Sequence, residues 1–398
     1  MKAMIFTVMP MFVCLFWSTM LAITLCTNRR PSIDGQKKEL DKPHTLLLIF
    51  MLTATVLYFG HCVFFNHNTS IIPFTDTLYC TANLSVYPIY YLYICSLTIR
   101  REHYKERAII LLPAVGGGIF VGLLYLMMSP EETRQFINNY LYNDQREGLM
   151  GLAAVQAYAH DTCRALFAIL ILPVFFHGRV HIREYNEMVY NTYSDTEDKT
   201  LSSLHYMLSA FIVTTIASFV CNIIGRQLFV ESMWLLAIPS TLFSIMLFSI
   251  GFIGYRQQFS IADLEREEQQ PESRQIEDDT TSELRQRIEL LMKQKRLFLR
   301  PNLKIVDLVQ LLNTNRNYIY IAINRGMGIS FSEYVNRMRV EHAATLISRQ
   351  PTISLTEIAE QSGFSSSTSF YRNFKHYMGM GPKEYQGKQK RGQNVNLP

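Results

Sequence analysis

The chain has 398 residues, 48% of them hydrophobic, and a formal net charge of +5. Those averages hide a split: long apolar runs fill residues 1–255, and the remainder is polar and charged, which excludes a single water-soluble domain. All seven cysteines (Cys14, Cys26, Cys62, Cys80, Cys95, Cys163, Cys221) fall in the apolar half without a CxxC pair, so neither zinc nor any other metal is indicated.

A helix needs about 20 apolar residues to cross the hydrocarbon core of a bilayer. Seven runs qualify: Met4–Cys26, Thr45–Phe65, Thr77–Ile99, Ala108–Met128, Leu152–Phe176, Tyr206–Ile224 and Met233–Tyr255. The first reads as an anchor rather than a cleaved leader. It is too long, lacks a small-x-small cleavage site and runs straight into Asn28-Arg29-Arg30.

Positive charge orients the bundle. Loop 1 holds Arg29, Arg30, Lys37, Lys38 and Lys42; loop 3 holds Arg100, Arg101, Lys105 and Arg107; loop 5 holds Arg179, Arg183 and Lys199. The alternate loops are poor in Lys and Arg. The N-terminus is therefore expected outside and residue 398 in the cytoplasm, in a multi-pass protein of a bacterial inner (cytoplasmic) membrane. Cys62 and Cys80 fall near the outer ends of consecutive helices, where a disulfide and two separate thiols are both open.

Some residues in these runs are too polar to face lipid. The fifth run carries His160, Asp161 and Arg164 within one turn, with Asp161 and Arg164 spaced i, i+3 for a direct pair. The third carries Asn83, Tyr87, Tyr90, Tyr91 and Tyr93 around Pro88. One reading is a ligand pocket formed by Asn83, Tyr87, Tyr90, His160, Asp161 and Arg164; the other is an ion pair and tyrosine hydroxyls that lock the bundle. Pro113, Pro173 and Pro239 are expected to kink their helices. Gly116, Gly117, Gly118 and Gly122 allow close helix contact.

Residues 256–281 are acidic and predicted to be a flexible linker, partly helical near Leu264. A helix is expected from Thr280, with Glu283 completing a capping box and Leu284, Ile288, Leu291 and Met292 as its apolar stripe. From Ser282 onward eighteen Lys/Arg face eight Asp/Glu, the footprint of a polyanion binder.

Lys304–Leu312 predicts a short helix with Ile305, Leu308, Val309 and Leu312 on one face. The polar turn Asn313-Thr314-Asn315 follows. A second helix, Arg316–Arg325, then turns Ile319, Ala322 and Ile323 inward and Arg316, Asn317, Tyr320 and Asn324 outward. This is a helix-turn-helix pattern, and it recurs. Ser354 and Glu357 cap a helix with Leu355, Ile358 and Ala359 inward. Gly363 ends that helix and Phe364 plugs the turn. A further helix buries Phe370, Phe374 and Tyr377 and exposes Ser367, Thr368, Ser369, Arg372 and Lys375. Between the units Ser330 caps a long helix, Phe331–Arg349, that spans roughly 28 Å. Major grooves on one face of B-DNA recur every roughly 34 Å, so this rod can hold two reading helices about one turn of DNA apart.

The string from Gly363-Phe364-Ser365 through Phe370-Tyr371-Arg372-Asn373-Phe374 to Gly381-Pro382-Lys383-Glu384-Tyr385 resembles the C-terminal signature of the AraC/XylS family. The run Asn315–Ile319 with Phe331–Val340 is similar to that family's first unit and linker helix. The resemblance covers residues 299–386. It implies bases read from the start of each second helix: Arg316, Asn317 and Tyr320 in the first unit, and Ser367, Thr368, Ser369 and Arg372 in the second, with Lys375 toward phosphate. Arg bonds guanine bidentately and Asn does so with adenine. Two positions depart from the pattern: Gly381 stands where Ser is usual, and Gln386 where Arg is common.

The sequence thus predicts an all-α protein in four parts: a seven-helix membrane bundle (1–255), the acidic linker (256–281), a tandem helix-turn-helix domain (282–390) and a disordered tail (391–398). No HExxH, GxSxG, Walker A or GxGxxG motif points to an enzyme, and no cofactor is indicated. The expected function is a membrane-bound, sequence-specific DNA-binding transcription regulator that answers a small-molecule or envelope signal. Double-stranded DNA, the lipid bilayer, RNA polymerase and a second copy of the chain are its candidate partners. A passive or proteolytically released tether, and a transporter with an accessory domain, are the alternatives.

Overall fold

The computed structural model describes residues 5–27, 42–99, 105–224, 233–257, 259–268 and 281–394. These residues are overwhelmingly helical. The one strand-like pairing among them is an isolated antiparallel bridge between Tyr193 and Lys304. The chain divides into two compact units: residues 1–184 with 201–264, and residues 185–200 with 265–398.

The first unit contains α1 (Ile5–Thr27), α2 (Lys42–Phe65), α3 (Ile72–Thr98), α4 (Leu112–Met127), α5 (Pro130–Gln135), most of α6 (Gly151–Thr192), α7 (Ser202–Ile224) and α8 (Ala237–Arg256). Among the described residues, five helical stretches are long and apolar enough to cross a membrane: Ile5–Thr27, Lys42–Phe65, Arg107–Met127, Gly151–Thr192 and Trp234–Leu264. The two other expected crossings form helices but fall short of that standard. In α7 the described apolar stretch, Ser202–Ile216, is short. α3 is long enough but rich in hydroxyls, and it is the most deeply buried helix of the unit. Thr77, Thr81 and Ser85 return their hydroxyls to carbonyls four residues back at 2.7–2.9 Å, so these groups are satisfied within the helix itself.

Glycines let α4 lie close on α3: Gly118 sits directly against Thr81, and Gly117 and Gly122 leave only 3.0 Å for an added Cβ against Leu84 and Thr77. Gly116 faces open space. Of the prolines expected to kink, Pro113 falls in the first turn of α4 and Pro239 in the first turn of α8, where a missing N–H costs little. Pro173 lies inside α6. Cys62 and Cys80 are not joined by a disulfide.

α6 departs most from expectation. It runs 42 residues, about 63 Å at 1.5 Å per residue, roughly twice the hydrocarbon core. Beyond Phe176 the apolar run ends, but helical spacing persists in the buried Ile182, Tyr185 and Val189.

After α8, Asp263 accepts from the Ser260 backbone and hydroxyl and starts α9 (Ile261–Glu268), the helix expected near Leu264. Residues 269–280, including the rest of the acidic linker and the Thr280 cap, lie outside the described residues.

The second unit holds α10 (Thr281–Gln294), α11 (Ile305–Leu312), α12 (Arg316–Tyr320), α13 (Phe331–Arg349), α14 (Leu355–Gln361), α15 (Ser367–Met378) and α16 (Pro382–Asn394). It has two hydrophobic cores. The first gathers Leu284, Ile288 and Met292 of α10 with Leu308, Ile319 and Val335. The second gathers Val340, Ala343 and Ile347 with Ile358, Phe370 and Phe374. α13 supplies its first half to one core and its second half to the other, which fixes the spacing of the two helix-turn-helix units. α16 continues to Asn394, so residues 391–394 are helical rather than the start of a disordered tail; residues 395–398 lie outside the described residues.

Candidate nucleic-acid interface

In the first helix-turn-helix, Asp307 accepts from the Lys304 backbone N–H at 2.8 Å and starts α11. Asn313 ends that helix at φ +49°, a conformation asparagine tolerates. The Asn315 side chain then accepts from the Asn317 N–H at 2.8 Å and starts α12. Ile319, Ala322 and Ile323 are buried. The helix is shorter than expected: from Ile321 to Arg325 the backbone passes into a π-turn. Asn317 and Tyr320 are exposed. Arg316 is half-buried, its guanidinium donating to Thr192 Oγ1 at 2.6 Å.

In the second, Ser354 caps α14 by accepting from the Glu357 N–H at 3.1 Å. The turn depends on Gly363, at φ +81°, where an added Cβ would stand 2.6 Å from the carbonyl oxygen of Leu299. Ser366 caps α15, accepting from the Ser369 N–H at 3.0 Å. Ser367, Thr368, Arg372 and Lys375 are exposed on this helix, as expected. Ser369 is not. It is 4% exposed beside the buried Phe370, and its hydroxyl accepts from the Asn373 amide at 3.3 Å. Gln386 donates to the Ile353 carbonyl at 2.8 Å and so ties α16 to the turn before α14.

Sequence reasoning passed over Arg339, which is 1% exposed in the middle of α13. Its guanidinium donates to the carbonyls of Phe298 at 2.7 Å and Arg300 at 2.8 Å, to Asn336 Oδ1 at 3.4 Å and to Ser194 Oγ at 3.2 Å. Burial pulls its pKa down to about 10, so it stays charged at neutral pH. The signal was present: Val335, Arg339 and Ala343 share one helical stripe, and an arginine there must spread its donors over oxygens.

The first unit has a cavity of about 240 Å³. Asn83 and Tyr87 line it, as do Asp76, His61, Phe50 and Phe211; Tyr90, His160, Asp161 and Arg164 of the expected pocket do not. Asp161 is instead held by Tyr140 at 2.7 Å, Arg146 at 3.0 Å and Arg164 at 3.5 Å. His160 turns away from Asp161. Its Nδ1 donates to the Gln156 carbonyl at 2.9 Å, since a carbonyl only accepts. Its Nε2 stands 2.7 Å from Asp76 Oδ2, which also accepts from Tyr125 at 2.7 Å. Asp76, Cys80 and His160 bring three ligand-type atoms within 4.8 Å of one another. The hydrogen bonds of Asp76 and His160 account for the pairing of those two without an ion.

The comparisons with known proteins fall on the second unit. A family model described as a helix-turn-helix domain matches residues 308–388. The chain is 31% identical over 84 residues to the Msm operon regulatory protein of Streptococcus mutans, covering 21% of this chain and 30% of that protein. It is 35% identical over 83 residues to the melibiose operon regulatory protein of Escherichia coli, covering 21% and 27%. It is 31% identical over 91 residues to an uncharacterized HTH-type transcriptional regulator of Staphylococcus aureus, covering 23% and 12%. The chain thus spans less than a third of the length of these relatives. No solved structure matches. The two capped helix-turn-helix units, the α13 rod between them and these matches together identify residues 308–388 as a DNA-binding helix-turn-helix domain of the AraC/XylS type.

Proposed function

We propose that this chain is a membrane-bound, sequence-specific transcription regulator whose helical bundle couples a signal at the membrane to DNA binding. The observation that carries this reading is the presence, on one polypeptide, of helices long and apolar enough to cross a bilayer and of a DNA-binding helix-turn-helix domain. The C-terminal domain then lies in the cytoplasm, as the loop charges require. In the first helix-turn-helix Arg316, Asn317 and Tyr320 read DNA; in the second Ser367, Thr368 and Arg372 do so, with Lys375 on phosphate. A homodimer would set two such domains on paired sites, and RNA polymerase is the partner through which bound protein would act on transcription.

The bundle cavity is the receptor for the signal in this reading. Its wall is mostly aromatic and aliphatic, with Asn83, His61, Thr75 and Ser240 among its polar side chains, which suits a small, largely apolar molecule carrying a hydrogen-bonding group. Such a molecule shifts the protein only if it binds the two states unequally.

The test is genome-wide mapping of DNA bound by the full chain and by a chain lacking residues 1–255, with reporter transcription measured for both. Coupling predicts shared binding sites with occupancy that depends on the membrane half and on growth conditions. Identical occupancy under all conditions would leave the bundle as a passive tether.

A further inference from the structure

The stretch Tyr185–Thr200, made of the last turns of α6 and the residues leading to α7, belongs to the second unit. It is pinned there through Ser194, which is 1% exposed. The Ser194 N–H donates to the Leu303 carbonyl at 3.0 Å, beside the Tyr193–Lys304 bridge. The Ser194 carbonyl accepts from Asn336 Nδ2 at 3.1 Å and Ser332 Oγ at 3.3 Å, and its hydroxyl accepts from Arg339 at 3.2 Å.

The residues flanking this anchor reach the groups that would meet DNA. On the upstream side Thr192 accepts from Arg316 at 2.6 Å, and Asn191 Oδ1 accepts from Asn324 Nδ2 at 3.0 Å. On the downstream side the carboxylate of Asp195 accepts from Ser365, and Glu197 Oε2 accepts from Ser366 Oγ at 2.6 Å. Ser365 and Ser366 open α15. The amino end of that helix carries partial positive charge and suits an anion; on duplex DNA the anion there is a backbone phosphate. One eight-residue stretch therefore engages both reading helices and sets two carboxylates at the start of the second.

We infer that Asn191–Asp198 is an acidic clasp that competes with DNA phosphate for the reading face, so that the domain must shed it before it can dock on a duplex. The inference rests on the DNA-binding reading above and adds its regulation. The carboxylates take the hydroxyls that phosphate oxygens would take, and Thr192 holds the Arg316 guanidinium away from a base edge. A clasp closed nine-tenths of the time lowers apparent affinity about tenfold.

The experiment uses the full chain in lipid nanodiscs and a labelled mixed-sequence 30-base-pair duplex, with affinity read by anisotropy across a salt series. The clasp variant Asp195→Asn/Glu197→Gln is compared with Glu289→Gln/Glu341→Gln, which removes the same charge from the same unit away from the reading helices. The clasp variant should bind about tenfold more tightly than the wild type, and the control variant less than about threefold more tightly. Hydrogen exchange on wild-type protein, with and without saturating duplex, gives a second readout. The Ser194 amide should exchange faster when DNA is bound. Equal gains in the two variants, or a Ser194 amide equally protected with DNA bound, overturn the clasp and leave DNA binding intact. Absence of any salt-sensitive binding by wild type and both variants overturns the clasp together with the reading beneath it.

Discussion

Gly363, in the turn between α14 and α15, and Gly379, just past the end of α15, form a matched pair of glycines that separates two physical costs. Gly363 and Gly379 both have positive φ, +81° and +71°. An added Cβ at Gly379 meets nothing within 4 Å, whereas at Gly363 it meets the Leu299 backbone at 2.6–2.7 Å. Gly379→Ala therefore bears only the left-handed penalty, about 1–2 kcal/mol, partly offset by the smaller entropy of the unfolded chain. Gly363→Ala bears the same penalty and must also push the Leu299 backbone aside, at about 1–3 kcal/mol for a forced backbone shift. The expected difference, about 1–3 kcal/mol, corresponds to roughly five- to hundredfold in opening equilibrium. Hydrogen exchange by mass spectrometry on peptides covering α14 and α15, in full-length protein, reads this directly. Equal acceleration in the two variants would show that Leu299 yields freely and that the close approach does not hold the turn.

Arg339→Met should destabilise the second unit by about 2–5 kcal/mol, because the carbonyls of Phe298 and Arg300 lose their charged donor; denaturant-dependent proteolysis of residues 281–394 measures it, and Arg339→Lys should recover only part. Arg372→Ala and Lys375→Ala should part company on DNA: loss of Lys375 lowers the salt slope by about one and weakens all duplexes alike, whereas loss of Arg372 also relaxes preference among binding sites. His342 is held below its ordinary pKa by burial and by Arg296 and Arg349, so the unfolded chain binds the extra proton first. Amide protection in α13 should therefore be full above about pH 6.5 and decline as pH falls through that value toward the folded pKa, a decline His342→Phe should flatten.

The second unit was legible because its signals are local and mutually consistent. Ser330 and Ser354 announce helix starts by side-chain chemistry, and each caps the helix expected of it; Asn315, read only as a turn residue, caps α12 in the same way. Phe331–Arg349 forms with the bounds that its spacing predicts. Ser369 was misplaced because it stands one position before Phe370, at the edge of a buried stripe whose width the spacing of Phe370 and Phe374 does not reveal. In the first unit, hydropathy finds where helices run but not what touches what. The pairing of His160 with Asp76, 84 residues away, has no counterpart in local spacing, whereas the Asp161–Arg164 pair at i, i+3 does. The extension of α6 beyond Phe176 was hidden for a different reason: its charged residues end the apolar run without ending the helix.

That extension bears on what a signal would have to do. α6 is one helix from Gly151 to Thr192, so the backbone that begins near the Asp161 ion pairs ends at the Thr192 hydroxyl that holds Arg316. A continuous helix resists stretching because every turn is hydrogen-bonded to the next; its weakest point is Pro173, which lacks an N–H. Moving a reading face that is one-tenth free to nine-tenths free, a roughly eightyfold change in the equilibrium, needs about 2.6 kcal/mol of differential binding. In the proposed reading, a small apolar ligand in the cavity of about 240 Å³ would supply that by burying on the order of 100 Å² more apolar surface in one state than in the other. The differential binding that the proposed clasp demands is thus of the size that a ligand in this cavity would supply.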